Sequence, residues 1–355
     1  MKGMRLGLQL GYWTPVPAPN TPDLVAAAER SGFDSVFAAE AWGSDAFTPL
    51  AWWGSRTSRL RLGTSVAQLS ARTPTACAMH ALTLDRLSGG RFILGLGVSG
   101  PQVVEGWYGQ PFSQPLARTR EYVSIVRQVL AREAPVVNAG KHYPLPYQGP
   151  GALGLGKPLK PIAHPLRPDV PIMLGAEGPK NVAMTAEIAD GWLAIYYTPR
   201  LAGLYNEWLD EGFARPGARR SREEFEIVAS CQIVLTDDRA GAIRAMKPVL
   251  ALYIGGMGAA GMNFHADVFA RMGYPEQVAA IGELFRSGRK EEAAAEVPDA
   301  LVEDVMVVGN AEEVRARVEE MERAGVTTLL VGCGSVEQVE QLSATLVGEV
   351  EHVLD

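Results

Sequence analysis

The chain has 355 residues, 47% of them hydrophobic and 21% charged, and a formal net charge of −7. That length holds one large α/β barrel with insertions or two ordinary domains. An acidic balance with no run of Lys and Arg excludes the patch that nucleic acid or an anionic membrane needs.

MRLGLQL (4–10) reads as the first strand, and Thr21-Pro22-Asp23 opens a helix with a capping hydroxyl, a proline and a first-turn acid. DSVFAAE (34–40) is the second strand, followed by a helix from Thr48-Pro49; RLRLGTSVAQL (59–69) is the third, followed by a helix from Thr73-Pro74 to Leu87. RFILGLG (91–97) is the fourth, with a helix over about 116–133 and then a Pro/Gly-rich stretch, 134–168, that reads as a long loop or lid. PIMLG (171–175), GWLAIYY (191–197) and FEIVASCQIVLT (225–236) continue the series, with helices from Pro179 and up to about Gly212. A largely helical insertion fills 238–300, a helix covers 312–325, TTLLVGC (327–333) is the eighth strand, and a last helix is expected over 336–353. Eight strands alternating with helices predict a (β/α)8 TIM barrel, one domain over 1–355 with insertions at 134–168 and 238–300; a doubly wound open sheet is the alternative. The opening MKGMRLGLQLGYW lacks a signal-peptide core, no apolar run approaches ~18 residues, and Cys77, Cys231 and Cys333 stand apart among apolar neighbours as reduced thiols. The expectation is a cytoplasmic protein acting on a small molecule, with no nucleic acid or membrane partner.

Gly95, Gly97 and Gly100 match G-x-G-x-x-G after a strand. A Rossmann fingerprint should open the first strand of its domain and be followed about 20 residues on by an acid ending the next strand. Here three strand–helix units precede it, and Glu121 falls inside a helical stretch. The loop therefore reads as a ligand-facing turn within a longer βα series. In a barrel, ligands meet the C-terminal strand ends. Those ends are rich in glycine and aromatics: Gln9 to Trp13, Glu40 to Trp42, Thr64 to Gln68, Gly97 to Gly100, Gly175 to Gly178, and Tyr196-Tyr197. Gly175-Ala176-Glu177-Gly178 before Pro179 and Lys180 has the composition of an anion cradle at a helix N-terminus, or of a plain turn. Glu40 is either a functional acid or a helix-capping partner. The five histidines show no metal-ligand spacing, so no metal is expected, and no G-x-S-x-G elbow is present.

Taken together, RLGLQLGYW (5–13), GFDSVFAAEAWGSDAFTPLAW (32–52), LRLGTSV (60–66), ALTLDRLSGGRFILGLG (81–97), GAEGPKN (175–181), ADGW (189–192) and AGVTTLLV (324–331) resemble the luciferase-like monooxygenase superfamily, and within it the oxidoreductases that use the deazaflavin coenzyme F420. The resemblance implies hydride transfer between the ring and an organic, carbonyl or enone-type substrate. An FMN-dependent two-component monooxygenase and a non-catalytic F420-binding barrel are the alternatives. It further implies a non-prolyl cis peptide at Ser65–Val66, a ring against Gly11, Glu40, Thr64, Ser65, Val66, Gly97, Val98, Ser99 and Gly100, and a cofactor phosphate at Gly175, Ala176, Glu177 and Gly178. A homodimer is expected on the same basis. Sugar-phosphate dehydrogenases of that branch carry an Asp-His pair where this chain has Glu40-Ala41, so Glu40 becomes the catalytic candidate. The aromatic rim of Trp13, Trp42, Trp107, Tyr196 and Tyr197 points to a larger, less polar substrate. All of this requires the glycine turns after the third, fourth and fifth strands to meet on one rim.

Overall fold

Apolar runs that are continuous rather than alternating call for strands covered on both faces, and the computed structural model, which describes residues 3–13, 15–258 and 261–347, closes them into a barrel. The strands are β1 (Arg5–Gly11), β2 (Ser35–Ala38), β3 (Arg61–Thr64) with its continuation β4 (Ala67–Gln68), β5 (Phe92–Gly97), β6 (Ile172–Gly175), β7 (Gly191–Ile195) and β8 (Glu226–Ser230). A further pair, β9 (Gln232–Leu235) and β10 (Met306–Gly309), forms its own parallel ribbon, and β11 (Thr328–Val331) completes the barrel between β8 and β1. Pairing of β3 with β5 joins the two ends of the sheet.

The helices are α1 (Thr21–Arg30), α2 (Phe47–Gly54), α3 (Pro74–Leu87), α4 (Pro101–Gly106), α5 (Pro115–Ala131), α6 (Pro179–Ile188) and α7 (Ala202–Phe213). The insertion supplies α8 (Arg239–Gly255), α9 (Phe264–Arg271), α10 (Pro275–Arg286), α11 (Lys290–Ala295) and α12 (Asp299–Val305), and α13 (Ala311–Arg323) and α14 (Val336–Leu346) follow. Residues 348–353 of the expected last helix lie outside the described residues. Of the three Thr-Pro starts, only Thr73 caps its helix, accepting from the Ala76 N–H. Asn20 precedes α1 without a side-chain cap, and α2 begins a residue early because Asp45 accepts the N–H groups of Phe47 and Thr48.

Two expectations change. The seventh run, 225–236, is two strands: the Cys231 N–H still reaches the Leu330 carbonyl, and then Gln232–Leu235 turns to pair with Met306–Gly309. An unbroken apolar run cannot report a change of partner. Of the two readings of 134–168, the long loop stands and the lid does not. Glu121 accepts the N–H groups of His142 and Tyr143, and Arg167 grips the buried Asp85 and the Phe92 carbonyl, which bind the segment along α5 and around the end of the barrel where β5 begins.

Phe37, Ile93, Met173, Leu193, Val228 and Leu330 fill the barrel's middle. Below them Arg5 and Arg61 meet Glu226, and Arg61 also meets Asp34, an ionic plug at the N-terminal end. A ligand can therefore enter only from the C-terminal mouth.

Outside the barrel, Glu187 at the end of α6 takes both guanidinium nitrogens of Arg120 (2.6 and 2.7 Å) and one of Arg215 (2.8 Å). The Arg120 hydrogen bonds, with Arg215 adding to them against the cost of burial, hold its carboxyl down to about 2 from the ordinary 4.5. A lowered carboxylate pKa stabilises the folded chain above pH 4.5, and that contribution fades as pH falls toward 2. Glu187→Gln is expected to lower Tm at pH 7 by about 1–2 °C. Thermal melts at several pH values should show its gap from the wild type closing below pH 4.5; a gap independent of pH would refute the clamp.

Candidate active site

The mouth is built where side chains are missing. β3 breaks after Thr64, the Ser65–Val66 peptide is cis, and the strand resumes as β4. The Ser65 N–H donates to the Ala38 carbonyl (2.8 Å) and the Glu40 N–H to the Val66 carbonyl (3.2 Å), so the bulge is pinned to the end of β2. The Val66 side chain lies in space that two glycines leave open. A Cβ on Gly97 would stand 2.5 Å from Val66 Cγ2, and one on Gly175 would stand 3.2 Å from Val66 Cγ1. The turns after the third, fourth and fifth strands thus meet on one rim, as expected. Gly11, at φ +68°, and Gly178 have nothing within 4 Å of a would-be Cβ, which leaves room above the rim.

Thr64 is not on this surface. Its hydroxyl donates to the Gly95 carbonyl and accepts the Gly95 N–H (2.7 and 2.8 Å), a seam so close that a Cβ on Gly95 would stand 1.8 Å from the Thr64 carbonyl oxygen. Past Gly97, Val98 packs on the core, Ser99 adopts φ +59°, and Gly100 precedes the short α4.

Glu40 ends up paired rather than free. Arg72 donates to its two oxygens (3.0 and 2.5 Å), the Gln68 N–H adds a third bond (2.7 Å), and its side chain is 3% exposed. Burial works to lower the Arg72 pKa, but the hydrogen bonds and charge of Glu40 outweigh it and the net shift is upward. A carboxylate so engaged holds β4 and Arg72 in place; it is not poised to give a proton to a substrate. Tyr108 lies nearby, and its phenol is pushed up first by burial and then by the Glu40 charge.

Next along the same rim, Gly175 to Gly178 lead into α6, with Gly178 at its N-cap in extended conformation. Trp192 Nε1 donates to the Ala176 carbonyl (2.8 Å) and Arg271 to the Glu177 carbonyl (2.9 Å). The Glu177 side chain faces His265, with Nδ1 2.8 Å from Oε1 but off the line of a hydrogen bond. Arg271 and His265 belong to α9, so the insertion roofs this side of the mouth. Tyr196 (φ +56°) is buried among Tyr253, Phe269 and His265.

The aromatic candidates divide. Trp13, Trp42 and Trp107 stand exposed, the last two at 54% and 63%. Tyr197 does not reach the mouth: its hydroxyl donates to the Ala324 carbonyl and its ring packs on Trp192 and Tyr205 in the outer layer. β7 ends at Ile195, and the left-handed turn at Tyr196 sends Tyr197 to the outer layer, so the two do not line one pocket. Residues missed from sequence are Arg72, Tyr253, His265 and Arg271. The insertion residues are hundreds of positions from β1, and only tertiary packing brings them here.

The sequence profile of the luciferase-like monooxygenases matches residues 6–328. A Mycobacterium tuberculosis protein whose name assigns it, as a candidate, to the coenzyme F420-dependent oxidoreductases is 70% identical over 96% of this chain and 99% of its own. The 5,10-methylenetetrahydromethanopterin reductase of Archaeoglobus fulgidus is 29% identical over 87% of each chain. Among solved structures, the coenzyme F420-dependent tetrahydromethanopterin reductase of Methanopyrus kandleri shares the fold, with a TM-score of 0.79 at 24% identity over 97% of this chain and 99% of its own.

Glu40→Gln leaves a buried guanidinium facing a neutral amide, and is expected to cost about 3 kcal/mol of stability. Denaturant unfolding checks this. Undiminished stability together with an altered pH–rate profile would restore Glu40 as an acid.

Proposed function

The chain belongs to the luciferase-like monooxygenase family, and on that premise we propose that it is an oxidoreductase using the deazaflavin coenzyme F420, which exchanges a hydride with an organic carbonyl or enone. The observation that carries this is the meeting of Val66, Gly97 and Gly175 on one rim, beside the N-terminus of α6. The residues fit such a group. Glycine walls admit a flat ring at backbone distance, and the open sides of Gly11 and Gly178 leave it space. When bound, the deazaflavin supplies a ring carbon that gives or takes a hydride.

Gly175, Ala176, Glu177 and Gly178, with the Lys180 N–H at the start of α6, would hold its phosphate; Pro179 has no N–H, and those of Asn181 and Val182 donate to the Gly178 carbonyl. Arg271, bonded to the Glu177 carbonyl, brings positive charge to the same cradle. Ser65, Val66, Gly97, Val98, Ser99 and Gly100 would back and flank the ring, with Gly11 across from them. Glu40 acts behind the ring, through Arg72 and Gln68, as a positioning residue. Hydride addition to a carbonyl requires a proton at oxygen, and Ala41 cannot provide one. His265 is the group we assign to that step: Glu177 lies against its Nδ1, and its Nε2 has no protein hydrogen bond among the described residues. Trp13, Trp42, Trp107 and Tyr196 would wall a substrate of low polarity.

We also assign the protein to the cytoplasm, in keeping with the absence, among described residues, of any helix long and apolar enough to cross a membrane. The face marked by Leu153, Leu155, Leu159 and Ile162, the last 96% exposed, supports a homodimer.

Parallel fluorescence titrations with F420 and FMN test the coenzyme: binding of F420 is expected, and tight binding of FMN alone would replace it. In stopped-flow oxidation of the reduced coenzyme by ketones, enones and aldehydes, His265→Gln should slow turnover about 10²-fold while leaving coenzyme affinity intact. Unchanged turnover removes His265 from the proton step.

A further inference from the structure

Two side-chain carboxamides at the mouth end in oxygens that nothing in the protein satisfies. Gln9 Oε1 and Gln68 Oε1 are both shielded from solvent and have no hydrogen-bond partner. Buried acceptors are nearly always paired, and an orphan costs the folded chain its desolvation.

Their place in the barrel says what they face. On β1 the inward row is Gly7, Gln9, Gly11: a Cβ on Gly7 would stand 2.5 Å from Leu330 Cδ2, inside the barrel, and Gln9, two residues on, shares that side. It lies level with Phe37, the top of the apolar filling. On β4, Gln68 is the register partner of Gly97, whose open side holds Val66, so it too is directed to the inner face. Gln68 is 4% exposed. Its orientation is set, because Nε2 donates to the Glu40 carbonyl (2.9 Å); exchanging the amide ends would set oxygen against oxygen. The two amides therefore stand on either side of the end of β2, with Val66, Gly97 and Gly175 as apolar neighbours. The guanidinium of Arg72, which shares the Glu40 carboxylate with the Gln68 N–H, is already taken by that carboxylate.

We infer that Gln9 and Gln68 are positioning residues whose carboxamide oxygens hold the polar edge of the planar molecule bound in the mouth. Two neutral acceptors, with no unpaired cation beside them, select a neutral edge that bears N–H or O–H donors and reject a carboxylate or phosphate there. The pyrimidine edge of a deazaflavin is of that class, with one donor (N3–H) when oxidised and two (N1–H and N3–H) when reduced, and the phosphate is left to the α6 side. This rests on the mouth being the coenzyme site.

The distinguishing consequence is opposite signs in two measurements. Replacing an amide whose oxygen is orphaned with an apolar chain of similar volume relieves the ligand-free protein and deprives the ligand of a partner. Gln9→Met should raise the Tm of the ligand-free protein by about 1–3 °C while weakening F420 about tenfold in a fluorescence titration. Gln68→Met should weaken F420 similarly, and its Tm is not diagnostic, because the bond to the Glu40 carbonyl is lost with it. Unchanged F420 affinity in Gln9→Met overturns the inference, as does a lower ligand-free Tm for that variant, which would mean that the amide is a satisfied structural group. The wild-type titration separates the two levels. If the wild type binds FMN and not F420, the coenzyme reading fails, and the same affinity and Tm comparison made with FMN decides the glutamines.

Discussion

The structure depends on a shortage of side-chain volume at three places around one point. Thr64 and Gly95 approach so closely that no Cβ fits between their strands. Just above that seam, Val66 occupies the space that Gly97 and Gly175 leave empty. The third strand can leave the barrel and return only because its neighbours are bare backbone there. That displacement opens the mouth, orients β4 and brings Gln68 and Arg72 to the end of β2. Larger residues at 97 or 175 would push against Val66 directly, so the glycines serve the protein's own geometry before they serve any ligand.

Around this point the site separates charge from apolar surface. The ion pair under the mouth, Glu40 with Arg72, is buried and spent on holding backbone. A buried pair of this kind is weak support for stability in itself but costly to break, which suits a scaffold under a binding surface. The other polar side chains of the mouth, His265, Glu177 and Arg271, are gathered where α9 from the insertion covers the start of α6. The barrel therefore offers a flat, neutral floor with polar atoms in few positions, and the insertion provides the ionisable groups above it. Such a division fits chemistry in which a hydride moves across a dry contact and a proton arrives from the side.

The long proline-rich segment shows how composition can mislead about role. Lacking periodicity, 134–168 resembles a lid, yet Asp85, Glu121 and the Phe92 carbonyl bind it to the flank. Its leucines at 153, 155 and 159 stand exposed.

All eight barrel strands, the helix starts near residues 74, 115 and 179, and the cluster of glycine turns were legible in the residues themselves, since strand period, proline placement and glycine spacing are local properties. The superfamily resemblance located the cis bulge at Ser65–Val66, which no local rule could have done. What tertiary structure alone decided was the state of each functional group. Glu40 looked like a free acid because Arg72, 32 positions away, is invisible to spacing. Tyr197 looked like a pocket wall because the left-handed turn at Tyr196, which sends it to the outer layer, is not written in an apolar run. β9 looked like more of β8 because hydrophobicity does not name a partner. His265 was one histidine among five until α9 folded back over Glu177. Pairing, burial and partner choice depend on contacts between distant segments, and those contacts exist only once the barrel has closed.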